Sequence, residues 1–370
     1  MRRTVLLLIV ALWGVSMWAQ SGPPATGGNG TLYLGGFPNK LWVIDEATER
    51  VVSAIALTKG TPRQLTLSPD RTRFYLTDVT NEHIEIVDIA ARRSIDSFTL
   101  TEGARRVRIR SYEVDPLHRF AILLVHSITK LVDRFEIGSP KLVQYDLTAH
   151  QVMREIPWPE GRERTGANML FSPDGKLLYF FADDVLILET ENFTQVDKWA
   201  LSQPLEDGFG RIDFGFTPDT INDAPGYFTG VFRVQDPVQN RRLMGIARID
   251  LPTKHVEEFY TLGPDTSLSF ALAPDRKTLY GLSREIGQYE FWTFNLDARR
   301  LEKRQPFEGR PRMALKTSSN GRILYVYQAG NTIDLYETES YRYLRTITLD
   351  GDMTTPLYVV PNQAPTASRR

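Results

Sequence analysis

Five stretches of this chain place arginine just ahead of a short apolar run. They are TPRQL (Arg63), GARRVRIR (Arg105, Arg106, Arg108, Arg110), GRERTGAN (Arg162, Arg164), GFGRID (Arg211) and GRPRM (Arg310, Arg312). A guanidinium is planar, permanently charged and offers paired donors that match a carboxylate or a phosphate. If these loops converge, Arg63, Arg105, Arg106, Arg164, Arg211 and Arg312 form a broken ring for an anionic ligand or an acidic partner. Glu102, Glu160, Glu163, Asp207 and Asp213 stand among them. Local neutralisation is therefore the competing reading.

Other chemistry is sparse. His83, His118, His126, His150 and His255 each stand alone, with no second histidine at metal-ligand spacing, so no metal site is expected. There is no cysteine, which removes disulfides, thiolate catalysis, iron–sulfur ligation and thioether haem attachment. No G-x-S-x-G elbow and no glycine-rich phosphate loop occurs. Asp183 and Asp184 are adjacent but fall where a hairpin tip is expected. No catalytic residue and no cofactor-binding motif follows from the residues. The net charge of −1 gives no overall pull toward nucleic acid or anionic lipid.

What positions the arginines is a repeat. Pro69, Pro116, Pro173, Pro218, Pro274, Ser319 and Pro361 each follow a short apolar strand, at intervals of 47, 57, 45, 56, 45 and 42 residues. A second anchor, Asp45, Asp88, Asp146, Glu189, Asp250, Asn295 or Glu337, ends a later apolar run in each copy. Such side chains hydrogen-bond the backbone ahead and start tight turns, so they read as turn makers. Four short strands per copy make a propeller blade. The chain starts at TLYLGG (Thr31 to Gly36) in the phase of a second strand. It ends at TPLYVVPNQ (Thr355 to Gln363) in the phase of a first. The expected fold is all-β, a seven-bladed β-propeller spanning 31–363, in which the C-terminal strand completes the N-terminal blade. Two copies are long: the third, over about His126 to Lys141, and the fifth, over about Val231 to Leu243, with the loop APGY before it. Both additions join second to third strands and should rise on the face that carries the arginine loops.

The N-terminus has an export pattern. Arg2 and Arg3 precede an apolar run from Val5 to Trp13, too short to span a bilayer, and Ala19 suits a cleavage site. Residues 1–19 are read as a signal peptide, 20–30 as a flexible leader and 364–370 as a disordered tail. The expected location is periplasmic or secreted.

The turn and strand patterns SPDRTRFYLTD, SPDGKLLYFFAD and NGRILYVYQAG, with IDEAT, YDLTA and IDLPT, resemble the YVTN family of bacterial seven-bladed propellers. The long copies, LVDRFEIGSPKLVQYDLTAHQV and GYFTGVFRVQDPVQNRRLMGIARIDLPTK, are similar in pattern and place to the extended hairpins of the quinohemoprotein amine dehydrogenase beta-chain-like family. In that family other chains carry the haem and quinone, and the beta chain supplies scaffold and part of the pocket. The resemblance implies an exported, non-catalytic scaffold that binds a ligand or a protein partner on the face with the two insertions, as a subunit of a redox complex. The alternative is a lactonase-type propeller that hydrolyses a sugar lactone.

Overall fold

The computed structural model of the protein describes residues 25–204, 207–215, 218–327 and 330–362, and for 258–262 the backbone alone. The expected signal peptide with its cleavage after Ala19, the first part of the leader and the tail at 364–370 lie outside the described residues. The strands form seven antiparallel sheets, one per expected blade. Blade 2 shows the plan: Pro62–Leu67 is innermost, followed outward by Arg73–Asp78, His83–Asp88 and Arg93–Thr99.

The termini close the ring as their phase requires. Tyr358–Val360 is the inner strand of blade 1 and pairs with Thr31–Gly36, aligning Thr31 with Val360 and Tyr33 with Tyr358. Seven apolar clusters fill the seven interfaces between neighbouring blades, and the one joining blades 7 and 1 (Trp42, Tyr325, Leu335, Leu357) is built like the rest. A strand pressed between two blades is buried on both faces. That is why second and third strands read as unbroken apolar runs, whereas outer strands such as Arg50–Ala56 are largely exposed. Residues 25–30 of the expected leader run along the same seam. Arg345 Nη2 donates to the Ala25 carbonyl at 2.9 Å, and the buried Glu46 carboxylate accepts from the amides of Gly30 at 2.7 Å and Ser319 at 2.8 Å.

The anchors are turn makers. In SPDRT, Asp70 accepts from the Ser68 hydroxyl at 2.6 Å and the Thr72 amide at 3.1 Å, and Ser68 Oγ accepts from the Arg73 amide at 3.0 Å. Blade 4 repeats this with Ser172 and Asp174, and blade 7 with Ser318 and Asn320. Asp45, Asp88, Asp146, Asp250 and Asn295 each accept from a backbone amide two or three residues on.

The long copies are extended hairpins. In blade 3 the second strand runs over Phe120–Lys130, and the insertion folds back as a fifth strand, Phe135–Ile137, aligned on Ile128 to Lys130. In blade 5, Tyr227–Asp236 and Arg241–Asp250 form a ten-pair hairpin. Blade 6 is also long, over Thr278–Glu285 and Gln288–Asn295, an extension its ordinary repeat interval conceals. Among the described residues no helix is long and apolar enough to cross a membrane.

Candidate functional site at one mouth of the ring

Each inner strand begins beside the tip of its own blade's second-to-third hairpin. Arg105 is aligned with Thr129 in blade 3, Ile212 with Val234 in blade 5 and Leu268 with Ser283 in blade 6. The arginine loops and the extended hairpins therefore share one face.

The opposite end is closed by part of the chain itself. After its short inner strand Ile212–Phe214, blade 5 runs through residues 218–226 before Tyr227. Ile221 packs in the apolar cluster of blades 1 and 2, and its carbonyl accepts from Arg71 Nη2 at 3.0 Å. Blades 2 and 5 stand three apart in a ring of seven, so this contact carries the segment across the axis. Arg276 Nε donates to the Asn222 carbonyl at 2.8 Å, Asn222 Nδ2 donates to the Leu272 carbonyl at 2.8 Å, and Lys316 lies 3.6 Å from Asp219. Arg71 and Arg276 occupy the left-handed turn position, with φ of 60° and 59°, that glycine takes in blades 4 and 7 (Gly175, Gly321). A side chain there costs roughly 1 kcal/mol. Both arginines use that position to reach the plug.

Polar groups of the inner strands and of this segment are held by burial and hydrogen bonds. The Tyr112 hydroxyl donates to Thr66 Oγ1 and approaches the Tyr75 carbonyl, each at 2.9 Å. Burial pushes the Glu113 carboxyl up to about 8, although the Phe171 amide opposes the shift. Burial likewise pushes Asp223 up to about 6 against hydrogen bonds from Thr229.

The predicted arginines divide into two sets. Arg106 is neutralised by the buried Glu82 at 2.9 Å. Arg211 Nη2 donates to Ser202 Oγ at 2.8 Å and lies 4.0 Å from Asp184. Burial alone would raise Asp184, but hydrogen bonds from Ser202 and Lys198 outweigh it and hold the carboxyl below its usual value. Arg162 pairs with Asp183 at 3.3 Å, and Arg310 with Asp334 at 3.2 Å. Arg63, Arg105, Arg164 and Arg312 have no acidic partner within 4.0 Å among the described residues, nor do Arg108 and Arg110. Neutralisation thus accounts for part of the ring and leaves six guanidiniums uncompensated.

Concavities open on this face. One of about 360 Å³ lies between blades 4 and 5, lined by Asn168, Phe181, Asp183, Arg211, Asp213 and Phe214 among others. Another, of about 170 Å³, is lined by Arg63, Gln64, Asn81, Arg110, Thr165 and Gly166 from blades 2 and 3 and the lead-in to blade 4. Arg110 adjoins the predicted set without belonging to it. Its signal in the sequence is the break in alternation at RVRIRSY.

The hairpin tips carry a second feature. Phe37, Val79, Val132, Phe135, Ile137, Val238 and Ile286 are exposed at second-to-third tips of blades 1, 2, 3, 5 and 6, with Val238 at 87% and Ile286 at 88%. Among the described residues the remaining exposed large apolar ones are Leu117, on the opposite face, and side chains of outer strands such as Val51, Met153 and Val196. Single exposed apolar residues are ordinary; a set gathered on one face around a polar centre marks an interaction surface.

No protein-family model matches the chain, and no curated protein does. Solved structures do. A protein of unknown function from Desulfotomaculum acetoxidans shares 14% identity, covering 90% of this chain and all (100%) of that one, with a TM-score of 0.53. The Cps50 (Swd1) β-propeller domain of Myceliophteria thermophila shares 11%, covering 88% and 98%, with a TM-score of 0.52. Hydrazine synthase of Kuenenia stuttgartiensis matches at 14%, covering 85% and 90%, with a TM-score of 0.48. By fold, the chain is a β-propeller. At these identities the likeness is one of architecture, and the functional argument rests on the chain's own surface.

Proposed function

We propose that the chain is a docking module whose arginine-bearing face binds an acidic protein surface. The observation that carries this is the co-location of exposed apolar tips on five blades with guanidiniums that, among the described residues, have no carboxylate of their own. Apolar tips supply the desolvated contacts that dominate stable interfaces, and unpaired arginines steer and orient an acidic partner. The Arg2–Arg3 and Val5–Trp13 export pattern supports a periplasmic or secreted place of work. The resemblance of the long third and fifth blades to the amine dehydrogenase beta-chain-like family supports a redox-complex subunit as the partner, with this chain as its non-catalytic scaffold.

The test is co-purification of the full chain from native periplasm, at low and at high salt, beside an Arg105→Ala/Arg312→Ala variant. A partner held by wild type, weakened by salt and lost from the variant is expected. Undiminished retention by the variant would remove the basic mouth from the account. Turnover of a sugar lactone by the purified protein would replace docking with the hydrolase reading.

A further inference from the structure

We propose that the 170 Å³ cleft between Arg63 and Arg110 is a built site for one oxyanionic group, a carboxylate or a phosphate. This rests on the docking reading and deepens it by naming the group that seats on this part of the face.

The first ground is backbone geometry. Every blade carries an irregularity between its third and fourth strands, as at Val43/Ile44 and Leu335/Tyr336, so that feature belongs to the repeat. Among the described residues, only the inner strands of blades 2 and 3 are bulged against their second strands. In blade 2, Pro62 is aligned with Asp78 and Gln64 with Thr77, leaving Arg63 as the extra residue. In blade 3, Ile109 is aligned with Val125 and Ser111 with Leu124, leaving Arg110 as the extra residue. A bulge re-aims one side chain out of the ladder's alternation, and bulges gather beside functional sites. Both singular bulges present arginine, and both arginines line the same cleft.

The second ground is charge. Neither guanidinium has an acidic partner among the described residues. Asp78, aligned with Pro62 beside Arg63, is buried and already accepts from the amides of Glu82 and His83 at 3.1 Å each, and from Thr80. His126, aligned with Arg108, has a buried Nε2 with no hydrogen-bond partner. Its imidazole is pushed toward the neutral form by burial and then by the field of Arg110.

The third ground is size and rigidity. Gln64, Asn81 and Thr165, residue types that carry amide and hydroxyl donors, also line the cleft. The walls are tied together: the Ile109 amide donates to the Asn81 carbonyl at 2.7 Å, and the Ala167 amide to Ser111 Oγ at 3.3 Å. Pockets for drug-sized ligands run from roughly 300 Å³ upward. A cleft of 170 Å³ is on the scale of a single charged group.

The test is calorimetric titration of the full chain with inorganic phosphate and, separately, with succinate, at ionic strength matched with chloride. Wild type should bind at least one of them saturably, and Arg63→Ala/Arg110→Ala should weaken that binding about a hundredfold, the scale of two lost charge-assisted contacts. Arg63→Lys/Arg110→Lys, which keeps charge but not the planar fork, should bind with intermediate affinity and guards against misfolding of the alanine variant. Arg50→Ala, on an exposed outer strand, should bind as wild type does. No binding of either anion by wild type, or equal loss in Arg50→Ala, overturns the site. Phosphate bound without any protein partner held defeats the docking reading alone; a partner held without anion binding defeats this inference alone.

Discussion

At one end of the ring the inner strands run out into Pro-Asp turns, and residues 218–226 of blade 5 lie across the axis. At the other they start from loops in which six arginines, among the described residues, stand without a carboxylate. Both ends carry arginine, and the difference lies in what each guanidinium meets. Arg71 and Arg276 donate to carbonyls of the plug. Arg63, Arg110 and Arg312 meet no acid among the described residues. One end uses its cations to hold the protein's own carbonyls; at the other the proposed function assigns them to a partner outside the chain.

The largest effect is expected at the plug. Ile221→Ala removes a buried side chain from the cluster of blades 1 and 2 and should cost about 2–5 kcal/mol, read as a lowered midpoint in denaturant. A loss within experimental error would mean that the segment only rests on the ring.

Glu113 gives the next effect. Its carboxyl, held by burial at about 8, stays protonated in the folded protein where the unfolded chain has already ionised. Unfolding then releases a proton, so this group makes stability fall as pH climbs from the ordinary carboxyl range toward 8, by at most about 1.4 kcal/mol per pH unit. Glu113→Gln should flatten that slope, measured by thermal unfolding across the pH series. An unchanged slope would show that water reaches the carboxyl.

Arg71→Ala should cost about 1–3 kcal/mol, because the Ile221 carbonyl loses a charged donor in a partly buried place. Arg63→Ala and Arg312→Ala should shift stability by no more than about 0.5 kcal/mol in either direction. Equal losses at the two ends would erase the distinction between them.

The ring, its closure by Tyr358–Val360 and the shared face of the long hairpins were legible in the sequence, because they follow from strand phase and turn chemistry that repeat. The division of the arginines was not. Arg106 meets Glu82 of the preceding blade, and Arg211 meets Ser202 and Asp184 of the preceding blade, contacts that linear spacing cannot supply. The plug read as an ordinary loop, although Arg71 and Arg276 at glycine positions were its trace. The bulge at Arg110 showed only as one break in alternation, and an apolar residue at a hairpin tip looks in sequence like any other strand residue.

The central claim is that the mouth face, and not the plugged face, docks a partner. The most direct measurement compares retention of the co-purifying partner by two folded variants, Val238→Asp/Ile286→Asp on the mouth face and Leu117→Asp on the other. Loss is expected from the first and full retention by the second. Retention by the first with loss from the second would contradict the claim.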